Sequence, residues 1–405
     1  MKIPMSTGRS QSPDKGVGKP VFVEDQGSFE ALVNEALGAP AYFLDTEFHR
    51  ERTYWPLLAL IQITWGGPTY LVDPFAVDVS GLKELLVGGG LAVIHAADQD
   101  LEVLSNATGA IPARLFDTQI AAGFLGMSSP SLATLASSFL GAELAKGDRL
   151  TDWTRRPLSA AQATYAAGDV EHLPALHQTI TDALRNSGRL GWAEDECEVF
   201  RVRQRGPVAP EDAWRRLKEA RQLKGKARNV AKEVAAWRER LAAEIDRPPR
   251  NVLADLAVVA IAHRPPRNEA ELHSVRGLEG RSLRKGAAKE ILEAVERGMA
   301  AKEELRMGAP DVLDRSLRPA AALAAALVSA LAEELSLDPA LLATRADINS
   351  FLRGDPSGRL GKGWRNEVLG AHLADVVSGR ASLALDGGQI VVEARKTQDA
   401  PPSEA

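Results

Sequence analysis

The sequence predicts an α/β domain built on a mixed sheet, followed by two all-α helical domains. Three observations carry that expectation. Short apolar runs alternate with helical spacings up to about residue 190. Beyond Gly206-Pro207 no strand candidate occurs until the last residues. The charge also changes character: residues 211–300 hold 20 Lys+Arg against 14 Asp+Glu, a local +6 that leaves −11 for the rest. An acidic body joined to a basic helical module is hidden by the overall charge of −5.

In chain order, residues 1–19 are polar and read as a disordered tail. Val21–Val23 reads as a strand, and Asp25 or Ser28 can cap a helix carrying Phe29, Leu32, Val33 and Leu37. The run from Tyr42 to Phe48 is the next strand. Leu58–Trp65 and Thr69–Val72 flank Gly66-Gly67-Pro68 as two more. Helix 81–87 and strand Leu91–Ile94 lead to a helix that Asp100 opens. From Asp117 to Phe139 the pattern is helical with breaks near Ser128–Ser131, and Leu158–Arg185 reads as nearly continuous helix kinked at Pro174. These elements define a first domain over 20–190, with a charged linker over 191–207.

Residues 208–300 read as five short helices broken at Pro248-Pro249 and Pro265-Pro266. A second helical block over 315–392 ends in a hairpin around Asp386-Gly387-Gly388, and 393–405 reads as a second disordered tail.

Composition narrows the classes. Apolar residues at 45% and charged ones at 25% are those of a soluble globular chain. The single cysteine, Cys197, excludes an internal disulfide and fits a reducing cytoplasm. Its acidic neighbours Glu194, Asp195, Glu196 and Glu198 disfavour a thiolate, so a structural role is expected. The first twenty residues have no apolar segment of a secretory signal, and the apolar core Ala320–Ala332 is too short to span a bilayer. A soluble cytoplasmic monomer is the expectation.

Asp45 and Glu47 stand two apart on an otherwise apolar strand, so their carboxylates project to one side. Two carboxylates so close repel unless a cation sits between them, and a hard divalent ion takes oxygen ligands. Asp100 falls in the first turn of a helix at a strand's carboxyl end, where α/β sheets place ligand sites. Tyr165 and Asp169 share one helix face among small residues. His95 reads as a hydrogen-bonded structural histidine, since Mg²⁺ prefers oxygen.

Asp45-Thr46-Glu47-Phe48, Arg52-Thr53-Tyr54 with Pro56, Leu60-Ile61-Gln62, His95-Ala96 with Asp100-Leu101-Glu102, Asp117-Thr118-Gln119, Thr151-Asp152-Trp153 with Arg156-Pro157-Leu158, and Tyr165-Ala166 with Asp169 follow one another in order. Together they resemble the ribonuclease D group of the DEDD 3′→5′ exonucleases, in the branch whose last motif is Tyr-x-x-x-Asp. Trp214, Leu217, Ala235-Ala236-Trp237-Arg238-Glu239, Asp246 with Pro248, and Leu272 with Gly277-Leu278 resemble the HRDC domain that this family shares with RecQ helicases. The second helical block is similar to a diverged second HRDC copy.

The resemblance implies a ribonuclease H-like sheet. It implies that Asp45, Glu47, Asp100 and Asp169 hold two divalent ions, Mg²⁺ or Mn²⁺, and that Tyr165 orients or deprotonates the attacking water. The implied substrate is RNA: tRNA precursors and other structured RNAs with 3′ single-stranded ends. Candidate substrate contacts are Thr46, Phe48, Arg52, Tyr54 and Trp55 beside the acids, and Lys224, Lys226 and Arg228 in the basic module, with a further basic cluster at Arg281, Arg284 and Lys285. The helical modules are expected to position RNA without a part in the chemistry. A DNA 3′→5′ exonuclease and a non-catalytic RNA-binding scaffold are the alternatives that the residues leave open.

Overall fold

The computed structural model describes residues 19–144, 151–219, 222–278, 286–302 and 313–395. The cluster Arg281, Arg284 and Lys285 lies outside the described residues, as do nearly all of both expected tails. The chain forms two compact units. The first runs up to Phe48 and includes Leu58–Thr118 and Ser131–Ile180; the second takes His49–Leu57, Gln119–Pro130 and everything from Thr181. The expected boundary near 190 is thus crossed by two inserted segments.

The first unit is a six-stranded mixed sheet in the order β1-β4-β3-β2-β5-β6. Its strands are β1 (Val21–Val23), β2 (Ala41–His49), β3 (Leu57–Thr64), β4 (Tyr70–Val72), β5 (Leu91–Ile94) and β6 (Leu115–Asp117). Central strand β3 is buried from Leu58 to Thr64, as a near-continuous apolar run requires. It pairs antiparallel with β4, while β1–β4, β2–β5 and β5–β6 are parallel. Helices α1 (Gln26–Ala36), α2 (Leu82–Val87) and α3 (Asp98–Thr108) lie between the strands, and Asp25 caps α1 as expected. Strand β6 is absent from the sequence reading, which starts a helical stretch at Asp117, one residue before the helix that begins at Thr118. The helical stretch is short pieces: α4 (Thr118–Gly123) and α5 (Leu132–Leu135).

The expected long helix is two, α6 (Ala160–Glu171) and α7 (Leu173–Asn186), meeting at His172 just before Pro174. A reciprocal cap starts α6: Ser159 Oγ accepts the Gln162 N–H, and Gln162 Oε1 accepts that of Ser159. Just upstream, Arg156 donates to both oxygens of Asp73, to the Ala59 carbonyl at 2.6 Å and to the Trp153 carbonyl at 2.8 Å. That fork fixes the loop in front of α6 against β3 and β4.

In the second unit the expected linker contains a helix, α8 (Leu190–Arg201). Cys197 is buried on it, consistent with a structural role. A short 3₁₀ segment carrying the buried Trp214 precedes α9 (Gly225–Glu244), the 20-residue axis of the module. Around α9 stand α10 (Pro249–Val252), α11 (Asp255–His263), α12 (Glu269–His273) and α13 (Ala287–Ala300). Their core includes Trp214, Val230, Val234, Trp237, Val258 and Ile291. Gly298 of α13 lies so close to α9 that a Cβ there would stand 2.5 Å from the Val230 Cα, so only glycine permits the contact.

The last block comprises α14 (Arg318–Glu334), α15 (Pro339–Leu342), α16 (Arg345–Leu352), α17 (Gly363–Arg365), α18 (Ala371–Val377) and the hairpin β7 (Ala381–Asp386) with β8 (Gln389–Ala394). Glu196 of α8 pairs with Arg359 at 3.0 Å and Arg365 at 2.7 Å, while Trp192 stacks on Trp364 at 5.3 Å. Arg315–Leu335 is long and apolar enough to cross a membrane by length and composition, longer than the run read from sequence. Its residues Ala324, Leu327, Val328 and Ala332 are buried at helical spacing, as on the packed face of a core helix.

Candidate active site

Strand β2 brings the first two acids in. Its apolar half, Tyr42, Phe43 and Leu44, is buried, and Ala41 to Phe43 register against Leu91 to Val93 of β5. Strand β5 ends at Ile94, so the Asp45–Glu47 half of β2 runs past it, beside the turn leading into α3. This is the carboxyl edge of parallel strands. Carboxylate oxygens of Asp45, Glu47 and Asp169 all lie within 4.8 Å of one another. Asp100, buried in the first turn of α3, joins them through Thr46: its Oδ1 accepts the Thr46 N–H at 3.1 Å and the Thr46 hydroxyl at 2.6 Å. Tyr165 lies one turn before Asp169 on α6, its ring 6.1 Å from that of the buried Trp153.

The electrostatics are those of crowded acids. Burial, then the charges of Asp100, Asp169 and Glu47, raises Asp45 well above the usual carboxylate range. Burial, then Asp169 and Asp100, pushes Glu47 up to about 8. Burial raises Asp100 as well, against the hydrogen bonds from Thr46 that favour its charge. Hard oxygens, convergent and mutually repelling, fit a divalent cation that would remove the repulsion. Asp45, Glu47 and Asp169 are therefore brought together as the sequence suggested, with Asp100 tied to the same strand.

A pH dependence follows. Without metal, the folded cluster keeps protons that the unfolded chain releases, roughly from pH 4 for an ordinary carboxylate up to about 8 for Glu47. The unfolded state then binds fewer protons, so the cluster's contribution to stability falls as pH rises through that window. Cation binding competes with those protons and offsets the repulsion. Added Mn²⁺ is expected to raise Tm more at pH 8 than at pH 5.5, each measured against chelator. Equal shifts at both pH values would contradict the raised acids.

The candidate substrate contacts divide. Thr46 is buried and spends its N–H and hydroxyl on Asp100, so it orients an acid and is not open to substrate. Phe48 is half-buried and Arg52 exposed. Tyr54 donates its hydroxyl to Glu239 at 2.9 Å, while the N–H groups of Tyr54 and Trp55 both donate to Asp246 Oδ1 at 3.0 Å. Burial and the Glu239 carboxylate raise the Tyr54 phenol above its usual range. Trp55 keeps 40% of its surface exposed, with its ring edge-on to Tyr54. Lys224 and Lys226 are exposed, whereas Arg228 is half-buried and donates to the Leu223 carbonyl. His95 pairs its Nδ1 with the Thr118 hydroxyl at 2.9 Å, in keeping with a structural histidine.

A chain ending near Arg205 would lose two groups that hold the Tyr54–Trp55 segment. Asp246 and Glu239 lie beyond that point and hold the loop that continues from β2. Sequence reading placed both residues only in the HRDC-like pattern, without these partners; Asp246 has a left-handed φ of 48°. Asp246→Ala removes a charged acceptor from two N–H groups, a loss worth about 1.5 kcal/mol or more. The KM for a short single-stranded RNA is expected to rise about tenfold, with kcat less affected. An unchanged KM would show that the loop takes no part in substrate binding.

Fold and site together are those of a 3′→5′ exonuclease joined to a helical module. The 3′–5′ exonuclease family model matches residues 20–185 and the HRDC domain model matches residues 227–295. Ribonuclease D of Jannaschia sp. (strain CCS1) is 36% identical over 89% of this chain and 96% of its own length. That of Gluconacetobacter diazotrophicus is 34% identical over 93% and 97%. The crystal structure of Escherichia coli RNase D, described as an exoribonuclease involved in structured RNA processing, superposes with a TM-score of 0.80 at 31% identity, covering 89% of this chain and 99% of that one. The chain belongs to the ribonuclease D family. The HRDC match lies within the first helical block.

Proposed function

We propose that the protein is a Mg²⁺-dependent 3′→5′ exoribonuclease of the cytoplasm. It trims 3′ extensions of tRNA precursors and other structured RNAs, releasing nucleoside 5′-monophosphates. The observation that carries the reading is the triplet of carboxylate oxygens within 4.8 Å, with Asp100 tied to the same strand. All four acids of the resemblance are present, three converging and Asp100 bonded to Thr46 between two of them, which counts against a non-catalytic scaffold.

Asp45, Glu47, Asp100 and Asp169 would hold two divalent cations, which supply an acidified water and a counter-charge for the departing 3′-oxygen. The chain's own contributions are distinct. Thr46 holds Asp100 in the rotamer that faces the strand. Tyr165, one turn before Asp169 on α6, would orient the attacking water or help deprotonate it. Exposed Trp55 offers a stacking surface for an unpaired base, with its backbone fixed by Asp246. Lys224 and Lys226 offer backbone contacts without base readout.

The test is a 5′-labelled tRNA precursor with a short 3′ extension, incubated with the full-length protein and Mg²⁺. A ladder shortening one nucleotide at a time, with nucleoside 5′-monophosphates as product, is expected. Internal cuts, or nucleoside 3′-phosphates as product, would overturn the proposal.

A further inference from the structure

A fifth acid beside the cluster has no part in that proposal. Asp117 is the last residue of β6, opposite Ile94 of β5, and only 1% exposed. Its Oδ1 accepts the Ala96 N–H at 3.2 Å and its Oδ2 the Ala97 N–H at 2.8 Å. Ala96 has a φ of 56°, a left-handed conformation that is unfavourable for an alanine. The next residue, Ala97, is the N-cap of α3 and offers no side-chain cap of its own. Asp117 therefore caps that helix from a neighbouring strand and sits on a strained corner three residues before Asp100. Holding a carboxylate there has an electrostatic cost, since its charge is among those opposing ionisation of Asp100. A neutral asparagine would avoid the cost but has one acceptor oxygen where two N–H groups need one each, and would turn its NH₂ against the other.

We infer that Asp117 is a positioning residue for the catalytic site: it clamps the strained Ala96–Ala97 corner so that Asp100 faces the Asp45–Glu47–Asp169 carboxylates. The inference rests on the metal-site reading above. It gives the β5–α3 turn a defined geometry although no glycine occurs in it. Outer-shell partners of this kind are worth about 10–100-fold in metal affinity or activity.

Mn²⁺ binding to the full-length protein without RNA, followed by the electron paramagnetic resonance of free Mn²⁺, is the direct readout, and kcat and KM on a short RNA accompany it. Asp117→Asn is expected to weaken Mn²⁺ binding about 10–100-fold and to lower kcat, leave KM within about twofold, and regain kcat as Mn²⁺ is raised. Adding Ala96→Gly, which relaxes the left-handed corner, is expected to restore part of the lost affinity. If Asp117→Asn alone does not fold, the pair Ala96→Gly and Ala96→Gly/Asp117→Asn carries the same comparison. A double variant at least about threefold weaker in Mn²⁺ binding than Ala96→Gly then supports the clamp. Mn²⁺ affinity unchanged by the Asp117 substitution, in either background, overturns it. A wild-type protein that binds no Mn²⁺ would instead overturn the metal-site reading itself.

Discussion

Asp45→Asn is expected to leave a folded protein whose nucleotide release falls by about 10³-fold or more. Asp45 lies at the centre of the cluster, and its charge is opposed by Asp100, Asp169 and Glu47 together. An amide of the same shape keeps the packing of β2 but removes one unit of negative charge from the cation site. Because the substitution also relieves repulsion, the metal-free variant is expected to be at least as stable as wild type. Lost activity with retained or raised Tm separates a ligand from a structural acid. A folded Asp45→Asn protein that trims RNA at near wild-type rate would sink the metal assignment.

Tyr165→Phe is expected to slow the chemical step by about 10²–10⁴-fold while RNA binding is kept. The ring is half-buried and packs near Trp153, and phenylalanine preserves that packing, so only the hydroxyl is tested. Single-turnover rates at saturating enzyme, set beside RNA affinity, divide the two roles. Loss of affinity with an unchanged single-turnover rate would make Tyr165 a substrate contact.

The acids were legible because strand and helix periodicity alone bring them to shared faces: two residues apart on β2, and in the first turn of α3 after β5. Tyr165 and Asp169 add an i, i+4 pair on α6. The central strands were legible because β2 and β3 are apolar runs long enough to show burial. Strand β6 was not, since Leu115–Asp117 is three residues long and shows no period. Helix α8 read as a charged connector because one of its three buried residues is Glu196, whose partners Arg359 and Arg365 are some 160 residues away. Similar sequence separations hid the partners of Tyr54 and Trp55: aromatic residues soon after the strand acids suggest substrate stacking, and nothing local ties them to Glu239 or Asp246. Thr46 was misjudged for a different reason. A threonine between two acids can face a ligand or an acid with equal ease, and only the 2.6 Å bond to Asp100 decides it.

Matched RNA and DNA oligonucleotides with 3′ single-stranded ends, digested by the full-length protein with Mg²⁺ and again with chelator, test the central claim most directly. Metal-dependent release of nucleoside 5′-monophosphates from the 3′ end of the RNA, faster than from the DNA, is the predicted result. Release that persists in chelator, or no release from RNA in the presence of Mg²⁺, would contradict it.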